Sequence, residues 1–235
     1  MNESVSENII QIFPLLIYKA KIGLTEDERN ILIKEIYDQE SKSKNAGYKK
    51  KISAWTGDTQ GFEFLYSNIK FKKLFNLISL NVKKYTEVVG FNNNSIDFYY
   101  QRAWATIARN NENILPHKHL QSHISFAYYL KKNENDGTLD FWNEAAHNDI
   151  VPGLFKSFYH STLDIYKTNF HNTNSISFKP KVDEIYIFPS KSQHSTSKNK
   201  TKEERMSISA DISVVSKKSE NIEFLQTPIN KWKKF

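Results

Sequence analysis

The chain has 235 residues, of which 39% are hydrophobic and 14% aromatic, a composition typical of one folded domain and not of a disordered chain. It contains no cysteine, which excludes disulfides and cysteine-held zinc or iron–sulfur centres, so any metal must be held by histidine or carboxylate. The formal charge of +7 accompanies an abundance of Lys, Asn and Ile throughout the chain, which indicates a compositional bias more than a designed nucleic-acid face.

The ends of the chain carry no evident targeting signal. Residues 1–7 are polar and acidic, which predicts that they are not a secretory signal, and no apolar run approaches membrane-spanning length. We therefore expect a cytoplasmic protein without membrane association. The composition leaves a homodimer open.

The first part of the chain, about 1–95, is predicted to contain one strand and two helices. Ile9–Lys21 reads as a strand interrupted by a proline, which suits a sheet edge. Thr25 is expected to cap a helix, because three acidic residues follow it in the first turn. A second helix, from about Asn68 to Val89, should end at Gly90.

From about 96 to 216 the pattern changes to short strands. The predicted strands are Ile96–Ala108, His119–Leu130, Thr138–Trp142, Glu184–Phe188 and Arg205–Val215. Helices followed by strands indicate one α+β domain, 1–235, with a mainly β sandwich or barrel core, helices packed outside it and a basic tail at 217–235. Asn143–Ser177 fits no element, and its length predicts a lid or an unrecognised helix.

Three histidines form the candidate metal ligands. In an extended segment His117 and His119 lie on one face, where two imidazoles can hold one metal ion. Such a pair is weak evidence alone, because surface histidine pairs are common. His194, which follows the apolar strand ending in Pro189-Ser190, could supply a third ligand from another strand.

An arginine follows these histidines along the chain. Arg205 opens the last predicted strand, with Ser207 on the same face. If Arg205 is buried it needs an anionic partner, since an unpaired buried charge is costly, and its planar fork can hold a carboxylate bidentately. The alternative is a surface salt bridge with Glu203 or Glu204.

Taken in order, these blocks resemble the 2-oxoglutarate- and Fe(II)-dependent oxygenases, specifically a small bacterial and phage group related to prolyl hydroxylases. The resemblance covers most of the chain and implies a double-stranded β-helix, a jelly-roll of two sheets with helices packed on one. The residues that carry it are 12–18, Pro116–His119 with Ile124-Ser125, Asp136–Phe141, Phe188–Ser190 with His194, and Arg205–Ser209.

The resemblance implies Fe(II), 2-oxoglutarate as co-substrate, dioxygen, and hydroxylation of a small metabolite, an amino acid or a protein side chain. His117 and His194 match the first and distal iron ligands, and Arg205, assisted by Ser207, would hold the far carboxylate of 2-oxoglutarate. His119 stands where most relatives carry Asp or Glu. Three histidines would therefore leave the iron site one negative charge short.

Other assignments of the site stay open on sequence. His123 or Asp140 could replace His119 as second ligand. The protein could also be a cupin-like metal sensor or isomerase without oxidative turnover, or a basic module binding nucleic acid through Lys198–Lys202 and Lys231–Lys234. Nucleic acid is not the expected partner, since no recognised binding motif is present.

Several aromatic and polar residues are candidate pocket walls. His123, Ser125, Tyr129 and Tyr99 are predicted to line the pocket. Trp104 is expected in the core, and Trp55 fits either place. The remaining histidines, His147, His160 and His171, are expected in a lid or at the surface.

Overall fold

The computed structural model describes residues 13–43, 54–144, 147–148, 169–220 and 225–235. The helices of this part are α1 (Glu26–Lys42) and α2 (Lys72–Val89). Thr25 caps α1 in a reciprocal capping box with Glu28, and Gly90 ends α2 with a φ of 98°. The start of α1 and the end of α2 were predicted from the sequence. The start of α2 lies later than predicted, because 3-10 turns precede it.

Nine strands are present in the described residues. They are β1 (Tyr18–Lys21), β2 (Trp55–Thr56), β3 (Ile96–Ala108), β4 (Ile124–Lys131), β5 (Leu139–Trp142), β6 (Ser175–Phe178), β7 (Glu184–Pro189), β8 (His194–Thr196) and β9 (Arg205–Ser216). They form a six-stranded sheet in the order β1-β7-β4-β9-β3-β2 and a three-stranded sheet in the order β6-β5-β8, with antiparallel pairing. This is the predicted jelly-roll arrangement of two sheets with helices outside one of them.

Strand β9 shows how the larger sheet is packed. Its apolar residues belong to the main core, which also contains the buried faces of α1 and α2. The alternate residues Arg205, Ser207 and Ser209 line a cavity on the opposite side. Because side chains alternate along a strand, one sequence pattern supplies both the apolar core and the polar cavity wall.

A second, smaller apolar cluster lies beside the cavity. It is formed by Ala127, Tyr129, Leu139, Phe141, Tyr186 and Phe188. Members of this cluster come from both sheets, so it joins them at one end. The cavity, of about 1420 Å³, continues from Ala127, Tyr129 and Leu139 toward the three candidate histidines.

The strand predictions hold best where the strands are long. β3 has the predicted bounds, whereas β4 begins at Ile124 and not at His119, because the intervening residues turn to contact other strands. The strand predicted over Ile9–Lys21 is reduced to β1 within the described part. The short strands β2, β6 and β8 were not predicted.

Two predicted regions lie partly outside the described residues. Most of Asn143–Ser177 falls there, and its described end contributes to β6. Of the tail, Gln226 makes a bridge to Val215, and a 3-10 turn follows at Ile229–Lys231. None of the described helices is long and apolar enough to cross a membrane.

Candidate functional site

Backbone pairing brings the three candidate ligands together. His117 and His194 form an antiparallel bridge, each donating its N–H to the other's carbonyl at 2.9 Å. The His119 N–H donates to the carbonyl of Ser190 at 3.0 Å. As a result, ligand atoms of His117, His119 and His194 lie within 4.8 Å of one another.

Hydrogen bonds fix the same tautomer on all three rings. Nδ1 of His117 lies 2.8 Å from the Leu115 carbonyl, and Nδ1 of His194 lies 2.9 Å from the Ser192 carbonyl. Nδ1 of His119 bonds Oδ1 of Asp211. Because these oxygens accept, each Nδ1 donates, and a neutral ring then keeps the lone pair on Nε2 for a metal.

Burial keeps two of the rings neutral. Desolvation, together with the neighbouring His117, lowers the pKa of His194 to about 3. Desolvation also lowers the pKa of His117, although the bond to the Leu115 carbonyl opposes this shift. A neutral imidazole is the form that binds a metal, so both rings are prepared to coordinate one at physiological pH.

Asp211 lies behind the histidine cluster and is completely buried. Its Oδ1 accepts from His119 and from Ser122, while Nε of Arg102 and Nε2 of Gln121 each donate to its Oδ2 at 3.0 Å. Burial acts to raise the pKa of Asp211, but the bonds from His119 and Arg102 outweigh it and the pKa is lowered. Asp211 is therefore ionised, as a carboxylate–histidine pair behind a metal requires.

The Trp104 ring packs against the face of the His119 ring. The two rings are stacked, with centroids 5.7 Å apart and planes 19° apart. The Arg102 guanidinium lies 5.1 Å from the Trp104 ring, and its Nη1 lies 3.6 Å from Asp58. Trp104, expected in the core, is thus both buried and part of the cavity wall.

Arg205 lies on the same cavity and is only 3% exposed. Its guanidinium donates to the carbonyls of Asp136 at 2.7 Å and Ser197 at 3.2 Å, and to the Thr196 hydroxyl at 2.8 Å. No carboxylate among the described residues forms an ion pair with it. Glu204, one of its alternative partners, instead pairs with Arg109. This buried cation is hydrogen-bonded only by neutral oxygens, and the carboxylates of Asp136 and Asp140 act on it without direct contact.

Gly137 makes room for this arginine. Its φ is 105°, a conformation that favours glycine, and a Cβ there would overlap Nη1 of Arg205 and the Ser197 carbonyl. The side chain of the preceding Asp136 pairs with Lys132, and both are almost completely buried. This turn therefore holds the carbonyl of Asp136 in place for Arg205.

The other predicted site residues are divided between the cavity and the surface. Ser125, Tyr129 and Ser207 line the cavity. His123 and Tyr99 are corrections: His123 is exposed and its Nδ1 accepts from the Val214 N–H, and Tyr99 is 41% exposed, so neither lines the cavity.

The remaining candidate ligands lie apart from the metal cluster. Asp140 accepts from the Thr138 hydroxyl and, like His123, is absent from the cluster of three histidines. His147 and His171 are exposed, and His160 lies outside the described residues. Trp55 lines the cavity while it packs partly against the main core.

Asp211 and Arg102 were not singled out from the sequence, and Gly137 was noted there only as part of the block Asp136–Phe141. A usable signal for Asp211 was present, because it continues the alternation of Arg205, Ser207 and Ser209 onto the cavity face of β9. Arg102 carried no such signal, since a β-bulge between Tyr100 and Arg102 shifts its register against β9.

Comparison with known proteins agrees with this geometry. Residues 102–211 match the family model described as "Putative 2OG-Fe(II) oxygenase". The matched segment contains the three histidines, Arg205 and Asp211. Over these residues the chain is similar to the 2OG-Fe(II) oxygenases, a family named for Fe(II) and 2-oxoglutarate.

Solved structures share the fold of this chain at low sequence identity. SnoN, an α-ketoglutarate-dependent epimerase of nogalamycin biosynthesis, is 11% identical with a TM-score of 0.56, over 88% of this chain and 83% of that one. HygX from Streptomyces hygroscopicus, solved with nickel and 2-oxoglutarate bound, is 9% identical with a TM-score of 0.52, over 84% and 82%.

AviO1 from Streptomyces viridochromogenes Tue57 is 10% identical with a TM-score of 0.53, over 83% of this chain and 88% of that one. These likenesses concern the fold. No curated protein matches the sequence.

Proposed function

We propose that His117, His119 and His194 bind Fe(II) and that Arg205 and Ser207 bind the far carboxylate of 2-oxoglutarate, making the chain a dioxygenase. The observation that carries this proposal is that one cavity contains both a group of metal-binding side chains and a buried cation that needs an anion. Three imidazoles, two of them kept neutral by burial, direct free Nε2 atoms toward one another, and a buried arginine has no ion-pair partner among the described residues. A metal-bound 2-oxo acid with a second carboxylate meets both requirements.

The donor set fits iron. Three imidazoles suit Fe(II) as well as Zn, Cu and Ni, and they leave coordination positions open for a bidentate co-substrate and dioxygen. When bound, iron with 2-oxoglutarate and dioxygen supplies the oxidising chemistry, with decarboxylation of the co-substrate to succinate.

The residues of the chain orient the reactants and exclude water. Arg205 fixes one end of the co-substrate by charge, and Tyr129 beside it is fully buried. Trp104 and Asp211 hold the His119 ring in one plane and one tautomer. Together these contacts keep the co-substrate and the metal in a fixed relation, which is the part of catalysis that a protein supplies.

The cavity also indicates a class of substrate. We infer hydroxylation of an unactivated C–H on a small molecule or a peptide side chain in the cytoplasm. The volume of the cavity and the polar side chains around its mouth, including Gln60, Asn110, Asn111 and Gln121, support a polar substrate.

A cupin-like metal protein without oxidative turnover is the second candidate. It is favoured by one observation, the histidine at the position where most relatives carry a carboxylate. However, this candidate gives no role to the buried, unpaired Arg205. A nucleic-acid-binding module leaves both Arg205 and the three histidines without a role.

Calorimetric titration of 2-oxoglutarate into anaerobic protein, with and without Fe(II), tests the proposal. We expect binding only with Fe(II), and loss of that binding in His194→Ala. His171→Ala is the matched control, because His171 is exposed and outside the cluster. Tight Fe(II) binding without any 2-oxoglutarate binding would support the cupin-like candidate instead.

A further inference from the structure

The three-histidine site poses a question of charge. A carboxylate ligand gives an iron site one negative charge, and neutral imidazoles give none. The cavity wall behind the histidines nevertheless contains two carboxylates and one guanidinium, those of Asp211, Asp58 and Arg102. Their combined formal charge is −1, the charge that the ligand set lacks.

The two oxygens of Asp211 have different partners. Oδ2 is occupied by Arg102 and Gln121, whereas Oδ1 accepts from His119 and Ser122. The second carboxylate, Asp58, lies 3.6 Å from the far side of the same guanidinium. Arg102 is therefore shared between two carboxylates, and the unshared oxygen of Asp211 is directed at the metal ligand.

The surroundings make this charge effective. Asp211 is 0% exposed and His119 is 7% exposed, so water screens the pair weakly. A hydrogen bond from a ligating histidine to a carboxylate raises the basicity of the ring, and with it the strength of the metal bond. The stacked Trp104 ring prevents His119 from rotating away from Asp211.

We propose that Asp211 is a positioning residue that supplies to the metal centre, through His119, the negative charge that a carboxylate ligand would otherwise bring. This inference rests on the proposed function, because it assumes that His119 binds the metal. Arg102 bonds Asp211 and holds it in place, and Asp58 lies on the far side of the same guanidinium. In this arrangement the carboxylate lies behind the ligand His119 and not at the ligand position itself.

Metal affinity measured with Co(II) alone tests this inference without any turnover. In Asp211→Asn we expect Co(II) affinity to fall about ten- to hundredfold, the usual effect of losing such a partner. Ser122→Ala is the matched control, because it removes a neutral bond to the same oxygen and should change affinity less than about twofold. Circular dichroism and the melting temperature of the metal-free variants establish that they are folded.

A compensating substitution separates charge from structure. His119→Asp in the Asp211→Asn background returns a carboxylate to the ligand position, and this double variant should bind Co(II) at least about tenfold more tightly than Asp211→Asn alone. His119→Asp alone places two carboxylates side by side and should bind more weakly than the double variant. A purely structural role for Asp211 predicts no such rescue.

The outcomes are distinguishable. Folded Asp211→Asn with unchanged Co(II) affinity, or a double variant no tighter than Asp211→Asn, overturns the charge inference and leaves the proposed function intact. Failure of the unmodified protein to bind Co(II) overturns the proposed function itself. Should Asp211→Asn not fold, Asp58→Asn tests the same charge from a partly exposed position, with an expected loss of about two- to threefold; unchanged affinity there contradicts the inference.

Discussion

The two ends of the cavity differ in what they lack. At the histidine end every Nδ1 has a protein partner, and a carboxylate lies directly behind His119. At the arginine end a buried cation has only carbonyl and hydroxyl partners, although carboxylates pair with arginines elsewhere in the fold. One end is therefore prepared for a cation and the other for an anion.

The two ends together favour one kind of co-substrate. A metal alone satisfies the three imidazoles, and a carboxylate alone satisfies Arg205. A molecule with a metal-chelating group at one end and a carboxylate at the other satisfies both. A substitution at one end should therefore weaken either metal binding or co-substrate binding. If these residues had only structural roles, a substitution would not weaken one kind of binding selectively.

Arg205→Met should give the largest separation. It removes the buried cation while keeping an unbranched side chain, so 2-oxoglutarate affinity of the metal-loaded protein should fall by about 2–3 kcal/mol, or about 30- to 150-fold. Co(II) affinity should stay within about twofold, since Arg205 makes no contact with the histidines. Calorimetry measures both quantities.

The control for this substitution is Arg29→Gln, because Arg29 bonds the Leu24 carbonyl and does not line the cavity. It should leave both affinities unchanged. If Arg205→Met binds 2-oxoglutarate as tightly as the unmodified protein, the arginine end is not the anion site.

The sequence predicted the two ends unequally. His117, His119, His194 and Arg205 could be found because they are chemically distinctive and placed at strand-related spacings. Asp211 could not be assigned as readily, since it becomes meaningful only when β9 is paired with β4 and the loop before β4 folds across it. His123 was misplaced for the same reason, because its direction depends on where that loop ends.

The fold divides along similar lines. Long strands such as β3 and β9 carry their own alternating pattern and were predicted well. The short strands β2 and β8 have two and three residues, so no periodicity could reveal them. They exist because longer neighbours offer them hydrogen bonds.

The pH dependence of stability should distinguish the histidine end in the metal-free protein. The pKa of His194 is lowered to about 3 in the folded protein, whereas in the unfolded chain it is about 6.5. Between these two pH values the unfolded chain binds a proton at His194 and the folded chain does not. Stability should therefore fall as pH drops through this window, by at most about 1.4 kcal/mol per pH unit from this residue.

Urea unfolding at pH 7 and pH 5 measures this effect, and His194→Asn should reduce the slope. His117, whose pKa is also lowered, should add in the same direction. Equal slopes in the unmodified protein and the variant would show that His194 does not carry the linkage.

Gly137→Ala should affect the arginine end indirectly. A Cβ at this position overlaps the Arg205 guanidinium, and the φ of 105° is strained for alanine. We expect about tenfold weaker 2-oxoglutarate binding and a free energy of unfolding about 1–2 kcal/mol lower, with Co(II) affinity retained. Gly61→Ala is the matched control, since its φ is also positive but nothing lies within 4 Å of the added Cβ. Equal 2-oxoglutarate binding in the two variants would argue against an Arg205-specific effect.

Ser207→Ala should give the smallest effect. Ser207 lies two residues from Arg205 on the cavity face of β9, and its hydroxyl has no hydrogen-bond partner among the described residues. A neutral hydroxyl bond to the co-substrate contributes about 0.5–1 kcal/mol, so its loss should weaken 2-oxoglutarate binding about two- to fivefold. Ser209→Ala, one step further along the same face, should leave the affinity unchanged if the carboxylate is bound at Arg205. A larger effect at Ser209 than at Ser207 would mean that the carboxylate binds nearer the histidines than Arg205.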